Sequence, residues 1–151
     1  MSATLNPSDR AREVEKILGY QFSNPAYLHE ALHVAGSTFG RDGRDLAILG
    51  NYAIALVLSS EGYTRQASRD ESTRVINTVA SSNNVALVGY QHNLNQFIYP
   101  NPSQGRTISN STMASTVQAL LGAAFLDGGR NIDTVQQVMQ TLGLSWPATA
   151  N

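Results

Sequence analysis

Signals for the start and end of helices recur along this chain, and they constrain its fold more than any other feature. Asn6 precedes Pro7, which is typical of a helix N-terminus, and Gly19 follows the last apolar residue of that segment. No segment shows the sustained alternation of a strand. The spacing of apolar residues predicts helices at 7–18, 26–34, 46–61, 69–81, 83–92 and 132–142, and a long helix capped by Ser111 or Thr112 that ends at Leu126. The sequence therefore predicts an all-α fold.

The connections between these segments predict one domain. Three glycines mark the range 35–45 as a loop, and Pro100, Pro102 and Gly105 make the range 97–106 an irregular connection. No repeat and no linker-like stretch divides the 151 residues. We expect a single domain over 1–151, with a core at about 10–143 and no separate RNA-binding module.

The sequence predicts an intracellular location, in the cytoplasm or the nucleus. No run of eighteen apolar residues is present, so no membrane span is expected. The N-terminus MSATLNPSDR has neither the apolar core of a signal peptide nor an Arg-rich presequence. Cysteine is absent, which excludes disulfides and thiolate metal sites.

The charge pattern argues against tight binding of nucleic acid. The net charge is −1, whereas a protein that binds phosphates usually has a basic excess. Between Val75 and Leu126 only Arg106 is charged. We therefore expect binding to double-stranded RNA to be weak.

Two pairs of residues in predicted helices are expected to meet. Gly50 and Asn51 interrupt the apolar stretch LAILGNYAIAL, although both are poor choices for a helix interior. Ala47 and Asn51 are four residues apart and share a helix face, as do Ser115 and Gln118, which are three apart. If the two helices are neighbours, these faces contribute a methyl group, two amides and a hydroxyl to one location.

The same stretches resemble a known family. RDLAILGNYAIAL is similar to the ribonuclease III signature E-R-L-E-F-L-G-D-A-V-L, and STVQALLGAAFLDGG to the family's D-A-L-E-A-V-I-G-A-I-Y-L-D-G-G. VEKILGYQFSNPAYLHEAL and SSNNVALVGYQHNLNQFI resemble two further family segments, in the expected order. The resemblance is strongest to short ribonuclease III-like proteins of filamentous fungi, which share the N-P-S-Q segment at 101–104. It implies the ribonuclease III endonuclease-domain fold.

The resemblance also implies that the family's active site is degenerate here. Its four metal-binding and catalytic carboxylates fall on Ala47, Asn51, Ser115 and Gln118, and the first glutamate of the signature falls on Arg44. Mg²⁺ prefers anionic oxygen ligands, and no general base remains to activate water. We therefore expect no catalytic residues, no metal site and no cofactor.

The predicted function is that of a pseudoenzyme. Family members form dimers through the signature helix, and the phenylalanine that enters the other subunit is replaced here by Ile48, beside Leu49 and Tyr52. The resemblance implies a homodimeric scaffold that contacts RNA weakly. The alternative is an active double-stranded RNA endoribonuclease with non-standard metal ligands. A structural role in a ribonucleoprotein particle is a further variant, although the lack of basic tails argues against it.

Other polar and aromatic residues are predicted to have structural roles. The histidines lack a third ligand at matching spacing, so surface positions are expected, and 127–129 is expected to end a helix. Substitute metal ligands and base-stacking aromatic residues are the less favoured interpretations. The residues concerned are His29, His33, His92, Asp45, Glu61, Tyr90, Phe97, Tyr99 and Asp127.

Overall fold

The computed structural model describes residues 5–34, 41–99 and 108–148. This part of the chain contains α1 (Pro7–Leu18), α2 (Pro25–Leu32), α3 (Arg44–Thr64), α4 (Arg69–Val79), α5 (Ser82–Gln91), α6 (Asn110–Asp127) and α7 (Ile132–Leu142). A 3₁₀-helix spans Leu94–Phe97. The described residues form no strand, only an isolated parallel bridge between His33 and Tyr99. The prediction of an all-α fold is confirmed.

Some predicted helix ends were wrong by a few residues. The cap of α6 is Ser109, not Ser111 or Thr112, and its side chain accepts a hydrogen bond from the backbone N–H of Thr112. The helix α2 ends at Leu32 because His33 adopts extended backbone angles (φ −90°, ψ 124°). Of the predicted loops, 35–40 and 100–106 lie outside the described residues, and α3 starts two residues earlier than expected.

The helices α3 and α6 pack with their backbones in contact, and Gly50 allows this approach. A Cβ atom on Gly50 would lie 2.7 Å from the carbonyl carbon of Gln118 and 3.0 Å from the backbone nitrogen of Gly122. A Cβ atom on Gly122 would in turn overlap the carbonyl oxygen of Leu46. Since any larger side chain would force the helices apart, the glycine in the apolar helix is explained by packing.

The helix α3 packs one face on the core and leaves another exposed. With 21 residues and a mean hydropathy of 1.2, it is the one helix of the described ranges that is long and apolar enough to cross a membrane. Its contacts are with α6, α4 and α7 as well as α2, and 44% of the apolar window is buried. Helices that pack against a protein core pass the same test of length and composition, so length and hydropathy alone do not make α3 a membrane span.

Asp127 ends α6, as predicted, and also fixes the connection between α1 and α2. Its carboxylate accepts hydrogen bonds from the Tyr20 hydroxyl (2.6 Å) and from the backbone N–H groups of Ser23 (2.9 Å) and Asn24 (2.7 Å). Burial by itself raises the pKa of Asp127, but the bonds from Tyr20, Asn24 and Ser23 outweigh burial and hold it below the ordinary value of 3.8. The same contact raises the pKa of Tyr20, through burial and through the neighbouring carboxylate.

Asp127→Asn is expected to lower the free energy of unfolding by about 2 kcal/mol at pH 7, because one amide group cannot accept all three bonds. The folded-state pKa of Asp127 is lowered, so its contribution is complete well above pH 3.8 and is lost as the pH falls through and below that value. Urea unfolding of the wild type and the variant at several pH values should therefore show a difference in the free energy of unfolding that becomes smaller in acid. Asp70→Asn, on the exposed surface of α4, is the control. If the difference in the free energy of unfolding does not change with pH, the stabilisation does not come from the ionised carboxylate of Asp127.

Candidate functional site

The four positions on which the sequence resemblance places the family's carboxylates lie on α3 and α6. Asn51 is exposed, Ser115 and Gln118 are half-buried, and Ala47 is 7% exposed and belongs to the core. The Nε2 atom of Gln118 donates a hydrogen bond to Oδ1 of Asn51 at 3.4 Å. The structure thus brings Asn51 and Gln118 together across the two helices.

The amide side chains of Asn51 and Gln118 need no ion between them. One amide donates and the other accepts, so the two side chains attract each other without an ion between them. Two carboxylates at the same distance would repel, and one of them would have its pKa raised or would require a cation. Neutral residues therefore remove the need for metal at this contact.

An open cleft of about 230 Å³ lies beside Ser115, where the end of α2 and the start of α3 meet the start of α6. Hydroxyl groups from the first two turns of α6 line one wall, and no carboxylate is among the lining residues in the described part of the chain. Its residues are Ala31, His33, Val34, Gly43, Arg44, Ser111, Thr112, Ser115 and Thr116.

The charge of Arg44 in this cleft is compensated locally. Its guanidinium group donates to both carboxylate oxygens of Asp42, with nitrogen–oxygen distances of 2.9–3.1 Å. The hydrogen bond from Arg44 lowers the pKa of Asp42, and the bond to Asp42 raises that of Arg44. Arg44 is thus part of a local ion pair.

The donor groups at the four positions do not fit a divalent metal site. Ala47 has no donor atom, the Asn51 oxygen already accepts a bond from Gln118, and Ser115 contributes a neutral hydroxyl. In the ranges that the structure describes, no group of three or more His, Asp or Glu residues is arranged to hold an ion. Mg²⁺ requires several hard oxygen ligands with negative charge, which this arrangement does not supply.

An apolar stripe lies on the exposed face of α3, next to the amide pair. Ile48 is 60% exposed and Tyr52 is 70% exposed, whereas Leu49 is half-buried. Leu56, at 56% exposure, extends the stripe by one more turn. Leu56 was not predicted from the sequence, although it lies four residues after Tyr52 and therefore shares its helix face.

The prediction of surface positions for the histidines was wrong. His29, His33 and His92 are all half-buried. Nδ1 of His33 lies 2.7 Å from the carbonyl oxygen of His29, and Nδ1 of His92 lies 3.0 Å from that of Val88. The imidazoles of His33 and His92 are thus held by the helical turn that precedes each of them, which sequence spacing alone did not indicate.

The remaining candidates have structural contacts. Asp45 pairs with Arg41 at 3.3 Å and Glu61 with Arg65 at 2.8 Å, so both carboxylates belong to ion pairs within or beside α3. Among the aromatic residues, Phe97 is buried, the hydroxyl of Tyr90 donates to the carbonyl of Ile108, and Tyr99 packs against α1 and α2. The expectation that these aromatic residues pack within the fold is confirmed.

Solved structures define the class of fold. The chain matches two structures of the nuclease domain of ribonuclease III from Campylobacter jejuni, each with a TM-score of 0.77. The matches cover 90% and 92% of this chain and 98% and 97% of the other chains, at 18% and 19% identity. The fold is therefore that of a ribonuclease III nuclease domain.

Sequence relatives agree with that fold. The chain is 29% identical to ribonuclease 3 of Aliivibrio fischeri over 140 residues and 28% identical to that of Buchnera aphidicola (subsp. Schizaphis graminum) over 135 residues. These matches cover 89% and 85% of the chain, which spans about three fifths of the relatives' length (60% and 58%). No family model matches the chain. Relatives and solved structures together support the ribonuclease III family, nuclease domain.

Proposed function

We propose that this chain is a catalytically inactive ribonuclease III-like protein that acts as a homodimeric scaffold. The observation that carries the proposal is the hydrogen bond between Gln118 and Asn51. The resemblance of the sequence to the family places two carboxylates at these positions. An amide cannot act as a general base, and it supplies no charge to hold Mg²⁺ near a phosphate. The site thus lacks the groups for metal-dependent hydrolysis.

Dimer formation is supported by the stripe on α3. Ile48, Tyr52 and Leu56 expose more than half of their side chains in a row along one helix, and such a patch is costly to leave in water. One Campylobacter jejuni structure is described as showing flexibility in a region involved in dimer formation of its nuclease domain. By analogy we assign the stripe to the interface between two copies of this chain.

The wild-type protein is expected to leave long double-stranded RNA intact in the presence of Mg²⁺ or Mn²⁺. The reason is the lack of both a metal site and a base at the α3–α6 contact. Gel analysis of a labelled duplex, incubated with protein in metal and in EDTA, is the test. Cleavage that EDTA abolishes would show instead an active endoribonuclease with non-standard ligands.

Binding to double-stranded RNA is expected to be weak and to depend little on salt. The chain has a net charge of −1, and Arg44 beside the site is already paired with Asp42. A protein that neutralises few phosphates releases few counterions, so the logarithm of its affinity changes little with the logarithm of salt concentration. Fluorescence anisotropy with a labelled duplex across a salt series measures this slope. A steep slope with tight binding at low salt would contradict the expectation.

A further inference from the structure

Tyr99 lies at the centre of a cluster that joins three parts of the fold. Its ring stacks on His33, with centroids 4.1 Å apart and planes 15° apart, and the guanidinium carbon of Arg10 lies 4.1 Å from its centroid. The Tyr99 hydroxyl is 3.2 Å from Nδ1 of His29, and its backbone N–H donates to the carbonyl of Leu32 (2.9 Å). Residues 97–99 are thereby attached to α1 and α2.

The two imidazoles face a positive group. Burial lowers the pKa of His29, and the neighbouring His33 and Arg10 lower it further, against a small opposing effect of Glu15. Burial also lowers the pKa of His33, and Arg10 adds to this, although the bond to the His29 carbonyl opposes it. Burial and the neighbouring cation therefore favour the neutral form of both imidazoles.

The acidic groups nearby have other partners. Glu15 of α1 accepts a hydrogen bond from the backbone N–H of Phe22 at 2.8 Å, and Glu30 of α2 pairs with Arg41 at 3.3 Å. Arg10 donates to the carbonyl of Phe97 at 2.6 Å, but its Nε atom is buried and makes no hydrogen bond within the described ranges. A further positive charge here would meet an already poorly compensated cation.

We propose that Arg10, His29, His33 and Tyr99 form a pH-sensitive latch, which holds residues 97–99 against α1 and α2 while both imidazoles are neutral. A neutral His29 with its proton on Nε2 accepts the hydrogen bond from the Tyr99 hydroxyl. Protonation converts Nδ1 into a donor, removes that acceptor and places positive charge beside Arg10. Repulsion between the charged imidazoles and Arg10 then weakens the attachment of residues 97–99 to α1 and α2.

The latch is connected to the cleft at α6. The carbonyl of His33 accepts a hydrogen bond from the backbone N–H of Gly43 (2.9 Å), and Gly43 is the residue that caps α3. His33 also lines the cleft, together with Ser115. Release of the latch therefore loosens one wall of the cleft as well as residues 97–99. This inference does not depend on whether the chain is catalytically active.

The direction of the pH effect follows from the lowered pKa values. A histidine whose folded-state pKa is below the ordinary value of 6.5 stabilises the attached state fully above that pH. The stabilisation is lost as the pH falls through 6.5 towards the folded-state pKa values. The latch is thus closed at neutral pH and opens in mild acid.

Amide hydrogen exchange of the Tyr99 N–H, corrected for intrinsic rates, tests the latch at pH 7.5 and pH 5.5. We expect the protection of this amide to fall about tenfold in acid. Amides in the centre of α6, such as that of Leu121, should keep their protection, which separates local opening from global unfolding. Unchanged protection of Tyr99, or an equal loss at Leu121, would overturn the proposal.

The double variant His29→Gln/His33→Phe removes both titrating groups and keeps a ring against Tyr99. In this variant we expect the protection of the Tyr99 amide to be the same at both pH values. The variant His92→Gln, which removes a histidine outside the cluster, should behave as the wild type. An acid-dependent loss in the double variant equal to that of the wild type would overturn the latch. If circular dichroism shows that the double variant is unfolded, NMR titration of the wild type decides: ring signals of Tyr99 must shift with the midpoints of His29 and His33, below pH 6.5. A midpoint at or above that value would refute the proposal.

Discussion

Carboxylates introduced at the four positions should create a divalent metal site. In Ala47→Glu/Asn51→Asp/Ser115→Asp/Gln118→Glu, two of the new acids replace amides that lie 3.4 Å apart, so they repel each other in EDTA. We expect the melting temperature to be lower than that of the wild type without metal and to rise when Mg²⁺ is added. A metal concentration of 100 times the dissociation constant adds about 2.7 kcal/mol of stability.

Differential scanning calorimetry with and without Mg²⁺ measures this effect, and the wild type should show no shift. Part of the decrease in melting temperature in EDTA arises because Ala47 is buried, so a longer side chain there must displace its neighbours. Ala47→Gln/Ser115→Asn is the matched control, since with the native Asn51 and Gln118 it places four amides of the same sizes at these positions. A rise in the melting temperature of this neutral variant on adding Mg²⁺ would contradict the assignment of the four positions. The same conclusion would follow if the acidic variant folds but Mg²⁺ does not raise its melting temperature.

The fold could be predicted because the signals for it are local. Caps such as Asn6 and stops such as Gly19 act within a few residues, and both lie at the ends of α1 as expected. The contact of α3 with α6 was also foreseeable, since Gly50 has no local role in an apolar helix and indicates a close neighbour. The structure confirms this explanation in the overlap that any Cβ atom at Gly50 would cause.

Features that depend on distant residues were missed. The three hydrogen bonds of Asp127 come from residues more than 100 positions away, so its sequence context showed only the end of a helix. His29 and His33 are half-buried because Tyr99 and Arg10 cover them, and no pattern in the sequence links these four residues. The burial of Ala47 likewise depends on how α3 is rotated against its neighbours, which spacing within one helix does not determine.

Ile48→Asp is expected to convert a stable homodimer into a folded monomer. The side chain of Ile48 is 60% exposed in the single chain, so an aspartate at this position meets water in the monomer and should not unfold it. In a dimer the same carboxylate would be buried without a partner in each subunit, at a cost of several kcal/mol, or about a hundredfold or more in the dissociation constant. Sedimentation should therefore show loss of the dimer, while circular dichroism should show an unchanged helix content.

The chain offers a matched control for this variant. Leu87 on α5 is 53% exposed and lies outside the α3 stripe, so Leu87→Asp makes the same chemical change without affecting the proposed interface. The wild-type dimer should persist in EDTA, because neutral residues at the α3–α6 contact leave no repulsion between subunits for metal to relieve. A wild type that sediments as a monomer at micromolar concentration would refute the homodimer, and equal disruption by Leu87→Asp would move the interface away from Ile48. Loss of helix content in Ile48→Asp would show instead that this residue supports the fold of the single chain.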